Sequence, residues 1–363
     1  MHDVQPDQYQ TLLAEKQARI ESQFACFNPP ALEVFASKPL HFRVRAEFRV
    51  WHEGDRCFYA MFEPGTKTDP IEITSFDIAD ESICALMPEL MAALNAQPIL
   101  KKKLFQVEFL HTLSGERLVT LIYHRQLDEE WQQAAQALKA QLGIHLIGRA
   151  RKMRLLLDQD HVIETLNVDG NTFRYKQIEG SFTQPNASMN EKMLSWARDV
   201  TRNSEGDLLE LYCGNGNFSI ALAENFRRVV ATEISKTSVN AALDNKAMNG
   251  LDNVDFARVS AEEFTDHMNG VRLRSRLKDM ALESADFQTV LVDPPRAGLD
   301  EGSCQLISQY RNIVYISCNP DTLKVNLEQL SKTHTVQRFA LFDQFPYTHH
   351  IECGVYLTPK AEG

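Results

Sequence analysis

Ser317-Cys318-Asn319-Pro320 sets a thiol two residues ahead of a proline. The run Asn312 to Ser317 is β-rich, and the chain beyond Pro320 has helical spacing to Leu330. Proline suits a helix's first turn. Cys318 is therefore expected at a strand's carboxyl end and a helix N-terminus, where unpaired N–H groups and the macrodipole favour the thiolate nucleophile. Away from such a place a cysteine is usually an inert small hydrophobe. The other cysteines, at 26, 57, 84, 213, 304 and 353, form no C-x-x-C pair and no zinc-like cluster, so free thiols are expected.

Asp293-Pro294-Pro295-Arg296 ends another β-rich run. Its prolines hold the backbone extended and aim the carboxylate into the crevice above a sheet. The alternative is a stiffened turn in which Asp293 caps Gly298 or a helix. Glu352, between Ile351 and Cys353, is a carboxyl in a partly apolar setting. The expected raised pKa suits a general base. His349 and His350 precede it without a ligand cluster and read as a solvated or core pair, so no metal is expected.

Glu210-Leu211-Tyr212-Cys213-Gly214-Asn215-Gly216-Asn217 carries two glycines at a strand end, which lets the backbone turn tightly and approach a ligand. Glu233 ends the next strand, placed to accept hydrogen bonds from two ribose hydroxyls. A structural loop with a surface acid is the plainer reading. The Gly-x-Gly-x-x-Gly pattern is incomplete, which favours a nucleoside ligand without a pyrophosphate. S-adenosylmethionine meets that description.

The elements that must position these residues fall in two halves. Residues 179–363 alternate β-rich and helical runs, the mark of a Rossmann-like α/β domain with a mostly parallel sheet. Strands are predicted at Asp207 to Tyr212, Arg228 to Glu233, Val254 to Val259, Phe287 to Asp293 and Asn312 to Ser317. Ser235 caps a helix that Gly250 ends. An antiparallel pair, Thr335 to Phe342 with Gly354 to Leu357, closes the sheet edge.

Residues 1–178 read as an α+β domain with antiparallel strand pairs. From Phe42 to Val50, apolar residues alternate with Arg43, Arg45, Glu47 and Arg49, a period of two that puts three arginines on one face. A hairpin is predicted from Leu104 to Phe109 and Arg117 to Tyr123 around Ser114-Gly115, and a helix from Leu127 to Leu142.

The chain has 363 residues and a formal charge of −11, which at first sight opposes a nucleic-acid partner. Local fields decide docking, so the veto is weak. No apolar run reaches bilayer length and the polar start is unlike a signal peptide, which makes a cytoplasmic protein, with no membrane and no obligate protein partner, the expectation.

Together these motifs resemble the RNA uracil-5-methyltransferase family, most closely its bacterial tRNA (uracil-5-)-methyltransferase branch. Ser181-Phe182-Thr183-Gln184-Pro185-Asn186, the glycine turn, Asp293-Pro294-Pro295-Arg296, Ser317-Cys318-Asn319-Pro320 and His349-His350-Ile351-Glu352-Cys353 carry the likeness. It extends to Phe42-Arg43-Val44-Arg45-Ala46-Glu47-Phe48-Arg49 and Lys103-Leu104-Phe105-Gln106. The resemblance implies S-adenosylmethionine contacts from Gln184, Tyr212, Asn217, Glu233 and Asp293, a nucleophile at Cys318 and a proton-abstracting base at Glu352. It implies methylation of carbon 5 of the T-loop uridine 54 of tRNA through a covalent thiol adduct, and acceptance of the tRNA-like part of tmRNA. The closely spaced cysteines of relatives that hold an iron–sulfur cluster are missing, so no cluster is expected.

The first domain is then expected to bind RNA. Its candidates are Arg43, Arg45 and Arg49, Lys101 to Lys103, and Phe105 as a stacking platform. The alternatives are a solvated charged face and a core phenylalanine. Three rival activities are an adenine amino-group methyltransferase, which needs no thiol, an RNA chaperone, and a nicotinamide oxidoreductase, which the incomplete glycine pattern disfavours.

Overall fold

The computed structural model describes residues 4–361 except 64, 67 and 279. Two compact units form. One holds residues 4–6, Lys38–Thr165 and Gln177–Ala187, and the other holds Asp7–Ser37, Leu166–Lys176 and the chain from Ser188 onward.

The second unit contains an eight-stranded sheet. Its strands are β1 (Glu33–Phe35), β2 (Asp207–Leu211), β3 (Val229–Thr232), β4 (Val254–Ala257), β5 (Phe287–Val292), β6 (Asn312–Ser317), β7 (His334–Phe342) and β8 (Glu352–Pro359). They lie in the order β1-β7-β8-β6-β5-β2-β3-β4. All neighbours are parallel except β8, which runs antiparallel to both β6 and β7. Ile313 to Ile316 and Val290 to Val292 are wholly buried, as a sheet covered on both faces requires.

The predicted antiparallel pair is present but does not close the sheet. The three-residue β1 adds outside β7. Helix Tyr9–Phe24 sends Tyr9, Leu13, Ile20 and Phe24 into the core of this same unit. The chain accordingly does not divide once near residue 178, because residues 7–37 find their hydrophobic partners in the unit that holds the eight-stranded sheet.

The first unit is built on a seven-stranded sheet in the order Ile71–Ile73, Arg56–Met61, Arg45–Glu53, Leu104–His111, Arg117–Tyr123, His145–Ala150, Met153–Leu156. The predicted hairpin is present, with Gly115 at φ +96° in its turn. Helix Glu129–Leu142 starts where Asp128 accepts from the Trp131 N–H at 2.9 Å and ends at Gly143. It links two strands that pair in parallel, so the sheet is mixed rather than built from antiparallel pairs alone. Phe42, Val44, Ala46, Phe48 and Val50 are buried as their period of two demands, although the ladder begins only at Arg45.

Among the described residues no helix is long and apolar enough to cross a membrane.

Candidate active site

Strand register assembles the site. Leu211 pairs with Thr232 on one side and Val292 on the other, so the next residue of each strand sets Tyr212 between Glu233 and Asp293. Ser317 pairs with Cys353, and one step further brings Cys318 opposite Glu352. Directly opposed residues of an antiparallel pair have Cβ atoms about 4.5–5.5 Å apart. Glu352, Cys318, Asp293, Tyr212 and Glu233 thus line one edge of one sheet, in that order across β8, β6, β5, β2 and β3.

The turn after β2 is held in an uncommon shape. Tyr212, Gly214 and Gly216 have φ of +62°, +56° and +82°. A side chain on Gly216 would meet the Phe256 ring at 2.9 Å, whereas one on Gly214 would enter open space. Glu233 fixes this turn from the side, its carboxylate accepting from the Gly214 N–H at 3.0 Å and the Ser235 N–H at 2.8 Å. Asn217 begins helix Asn217–Leu222 and exchanges amide hydrogen bonds with Asn190 at 2.8 and 2.9 Å. Asn245 holds the Asn215 carbonyl at 2.8 Å. An open strand end, a backbone bare of a side chain at Gly214 and an acid on the neighbouring strand fit a nucleoside ligand.

At the other end of the row three acidic protons are crowded together. Glu352 is 4% exposed, and burial and then Asp293 raise its carboxyl well above the ordinary range. Burial pushes Asp293 up to about 7. Cys318 is raised to about 11 by burial first, then by Glu352 and Asp293, against a lowering by Arg296. The helix N-terminus expected beneath Cys318 is present, with Asn319 as the cap of Pro320–Leu330 and Pro320 in its first turn. The thiolate it was expected to favour is not favoured, because desolvation and two carboxyl groups outweigh one helix end. The Asn319 amide donates to the Arg296 carbonyl at 2.9 Å, tying the two strand-end motifs together.

Asp293 is not a cap. The Gly298 N–H donates to Pro295, and Asp300 caps helix Glu301–Ile307.

Sequence reasoning missed Asn190, Asn245 and Glu210. Glu210 is 1% exposed, burial raises it to about 8, and it accepts from the Ser219 hydroxyl. The signal was available, since an acid inside Asp207–Leu211 interrupts an otherwise apolar, doubly covered strand.

Gln184 lies in Gln177–Ala187, which folds with the other unit. There Arg49 stands over the Phe105 ring at 3.9 Å, and His124 stacks on that ring at 4.1 Å. Arg45 donates to the Ser181 carbonyl at 2.6 Å, and the half-buried Arg43 donates to the Arg45 carbonyl at 2.9 Å. Of the three arginines, Arg49 is the exposed one. Lys101 is tied to the Asp55 carbonyl. Phe182, which follows Ser181, is 76% exposed. Among the described residues no group of three or more His, Cys, Asp or Glu is placed to hold a metal ion.

A nucleoside-type turn and a thiol–carboxyl edge on a Rossmann-like sheet define a methyltransferase fold. A solved structure shares it: the Pyrococcus abyssi tRNA (uracil-54, C5)-methyltransferase in complex with S-adenosyl-L-homocysteine, at TM-score 0.72 and 20% identity over 96% of this chain and 83% of that one. The profile described as tRNA (Uracil-5-)-methyltransferase matches residues 8–360, and the chain belongs to that family. A tRNA/tmRNA (uracil-C(5))-methyltransferase of Chromohalobacter salexigens is 60% identical over 99% of this chain and 97% of its own. One of Psychromonas ingrahamii is 56% identical over 98% and 99%.

Proposed function

We propose that this protein methylates carbon 5 of the T-loop uridine 54 of tRNA, and the equivalent uridine of tmRNA, through a covalent adduct between Cys318 and carbon 6 of the base. Membership of its family makes it an S-adenosylmethionine-dependent methyltransferase of uracil in tRNA. The observation that supports the covalent route is the register that opposes Cys318 to Glu352 beside Asp293.

Carbon 5 of uracil is a weak nucleophile, and covalent catalysis supplies the missing electron density. The Cys318 thiol loses its proton to solvent and its sulfur adds to carbon 6, the carbon 5–carbon 6 double-bond electrons passing to the carbon-4 oxygen as an enolate that is nucleophilic at carbon 5. S-adenosylmethionine, which Tyr212, Asn217, Glu233 and Asp293 of the second unit would hold, supplies when bound an electrophilic methyl group to that carbon, its sulfur keeping the electron pair of the broken bond and leaving as S-adenosylhomocysteine. Glu352, as carboxylate, then removes the carbon-5 proton while the Cys318 sulfur leaves carbon 6, restoring the ring and the thiolate. A carboxyl with a raised pKa is a competent base near neutrality.

The uridine must leave its stack to be reached, at a cost of a few kcal/mol (about that by the general rule). Arg49 and His124 stack on the Phe105 ring, and this cationic aromatic group, with Arg49 and His124 exposed, is suited to an unstacked RNA loop.

Cys318→Ala tests this reading. Nucleoside digestion of unmodified tRNA after incubation with S-adenosylmethionine should give 5-methyluridine with the wild type and none with the variant. Undiminished 5-methyluridine from Cys318→Ala would contradict the covalent route.

A further inference from the structure

The loop from 343 to 351 joins β7 to β8 and delivers Glu352 to the edge where Cys318 stands. Three bonds from one ammonium hold it. Lys16, on helix Tyr9–Phe24, donates to Asp343 Oδ1 at 2.7 Å, to the Phe345 carbonyl at 2.9 Å and to the His350 carbonyl at 3.1 Å. The two carbonyls bracket the loop, so one cation fixes both its ends. Around this centre, the Tyr9 hydroxyl donates to Asp343 Oδ2 at 2.9 Å, Arg19 donates to the His349 carbonyl at 3.1 Å, and the Asp343 N–H donates to the Phe35 carbonyl of β1.

The Lys16 side chain is 10% exposed and that of Asp343 1%. Burial lowers the ammonium, against the favourable charge of Asp343. A buried pair of this kind is seldom a net source of stability, because desolvating two charges offsets their attraction. Its geometry instead specifies one loop conformation. Tyr347, within the loop, keeps a left-handed φ of +62°. His350, whose carbonyl Lys16 grips, is two residues before Glu352.

We infer that Lys16 is a positioning residue for the base, its ammonium clamping the 343–350 loop so that the Glu352 carboxylate stands where it can take the carbon-5 proton. This rests on the covalent reading above. Lys16 does not touch the thiol, so adduct formation should survive its loss while proton removal slows. The clamp accordingly separates two steps that a general loss of folding would impair together.

The test uses the full chain, S-adenosylmethionine and unmodified tRNA. Lys16→Met is expected to lower kcat about 30-fold or more with KM for tRNA within about twofold, and to raise the fraction of enzyme trapped as a denaturation-resistant RNA adduct during turnover. Lys16→Arg, which keeps a cation with several donors, should recover at least tenfold of the lost rate. The double variant Lys16→Met/Asp343→Asn leaves no buried carboxylate without its cation, and serves if the single variant does not fold. Unchanged kcat, or a rate and an adduct level that fall together in folded protein, would overturn the clamp. An active wild type that forms no adduct would overturn the covalent reading, and the clamp with it.

Discussion

Cys318 illustrates how a residue's place and its electrostatics can point in different directions. Its strand end and helix N-terminus were legible in Ser317-Cys318-Asn319-Pro320, because local spacing sets them. Its thiol pKa was not, because Glu352 lies 34 residues away in sequence and Asp293 on another strand, and only the register brings them together. With the thiol near 11, the thiolate fraction rises about tenfold for each pH unit below that value. Alkylation of Cys318 by iodoacetamide, followed by mass spectrometry on ligand-free protein, should therefore climb steeply from pH 7 to 10. A plateau below pH 8 would show a thiolate stabilised as the helix end alone would suggest. Glu352→Gln removes the base and keeps the shape, so kcat should fall by about 10²–10⁴. Stopped-flow quenching should find the thiol adduct still forming.

At the scale of elements, the proposed cofactor site makes the β2 turn and its supports the determinants of cofactor affinity. Gly216→Ala adds a methyl group 2.9 Å from Phe256 at a φ of +82°, so the turn must shift. Calorimetry should show S-adenosylhomocysteine binding weakened at least about tenfold, the equivalent of about 1.4 kcal/mol. Glu210, buried in β2, makes a stability prediction. Its carboxyl is near 8 in the folded protein and has an ordinary value when unfolded, so the unfolded state binds fewer protons between those values. Stability should fall as pH rises from about 5 to 9, by an amount on the order of 4 kcal/mol for this group. Glu210→Gln should flatten that slope in urea titrations, and an equally steep fall would contradict the assignment. The parallel strands were legible because each is a short apolar run between turn residues. The three-residue β1 was not, since Glu33-Val34-Phe35 carries no periodicity and is a strand only through its pairing with β7.

For the whole molecule, the sequence suggested two domains in succession, and the fold interleaves them. Residues 7–37 join the second unit because their apolar face and Lys16 find partners there, information that no local window contains. The charge of −11 describes the entire chain and hides the Arg49 platform on one face of the first unit. Arg49→Ala should weaken tRNA binding and reduce the slope of log affinity against log salt by about 0.7–0.9, the loss of about one phosphate contact. Filter binding across a salt series measures it, and an unchanged slope would remove Arg49 from the RNA surface.

The covalent bond at Cys318 is the central claim, and tRNA carrying 5-fluorouridine tests it most directly. Fluorine cannot leave as a proton does, so Glu352 has nothing to remove and the adduct should persist with its methyl group in place. Peptide mapping by mass spectrometry is expected to find the methylated fluorouridine on the peptide containing Cys318. An active enzyme that leaves this peptide unmodified, or a modification on another cysteine, would contradict the account.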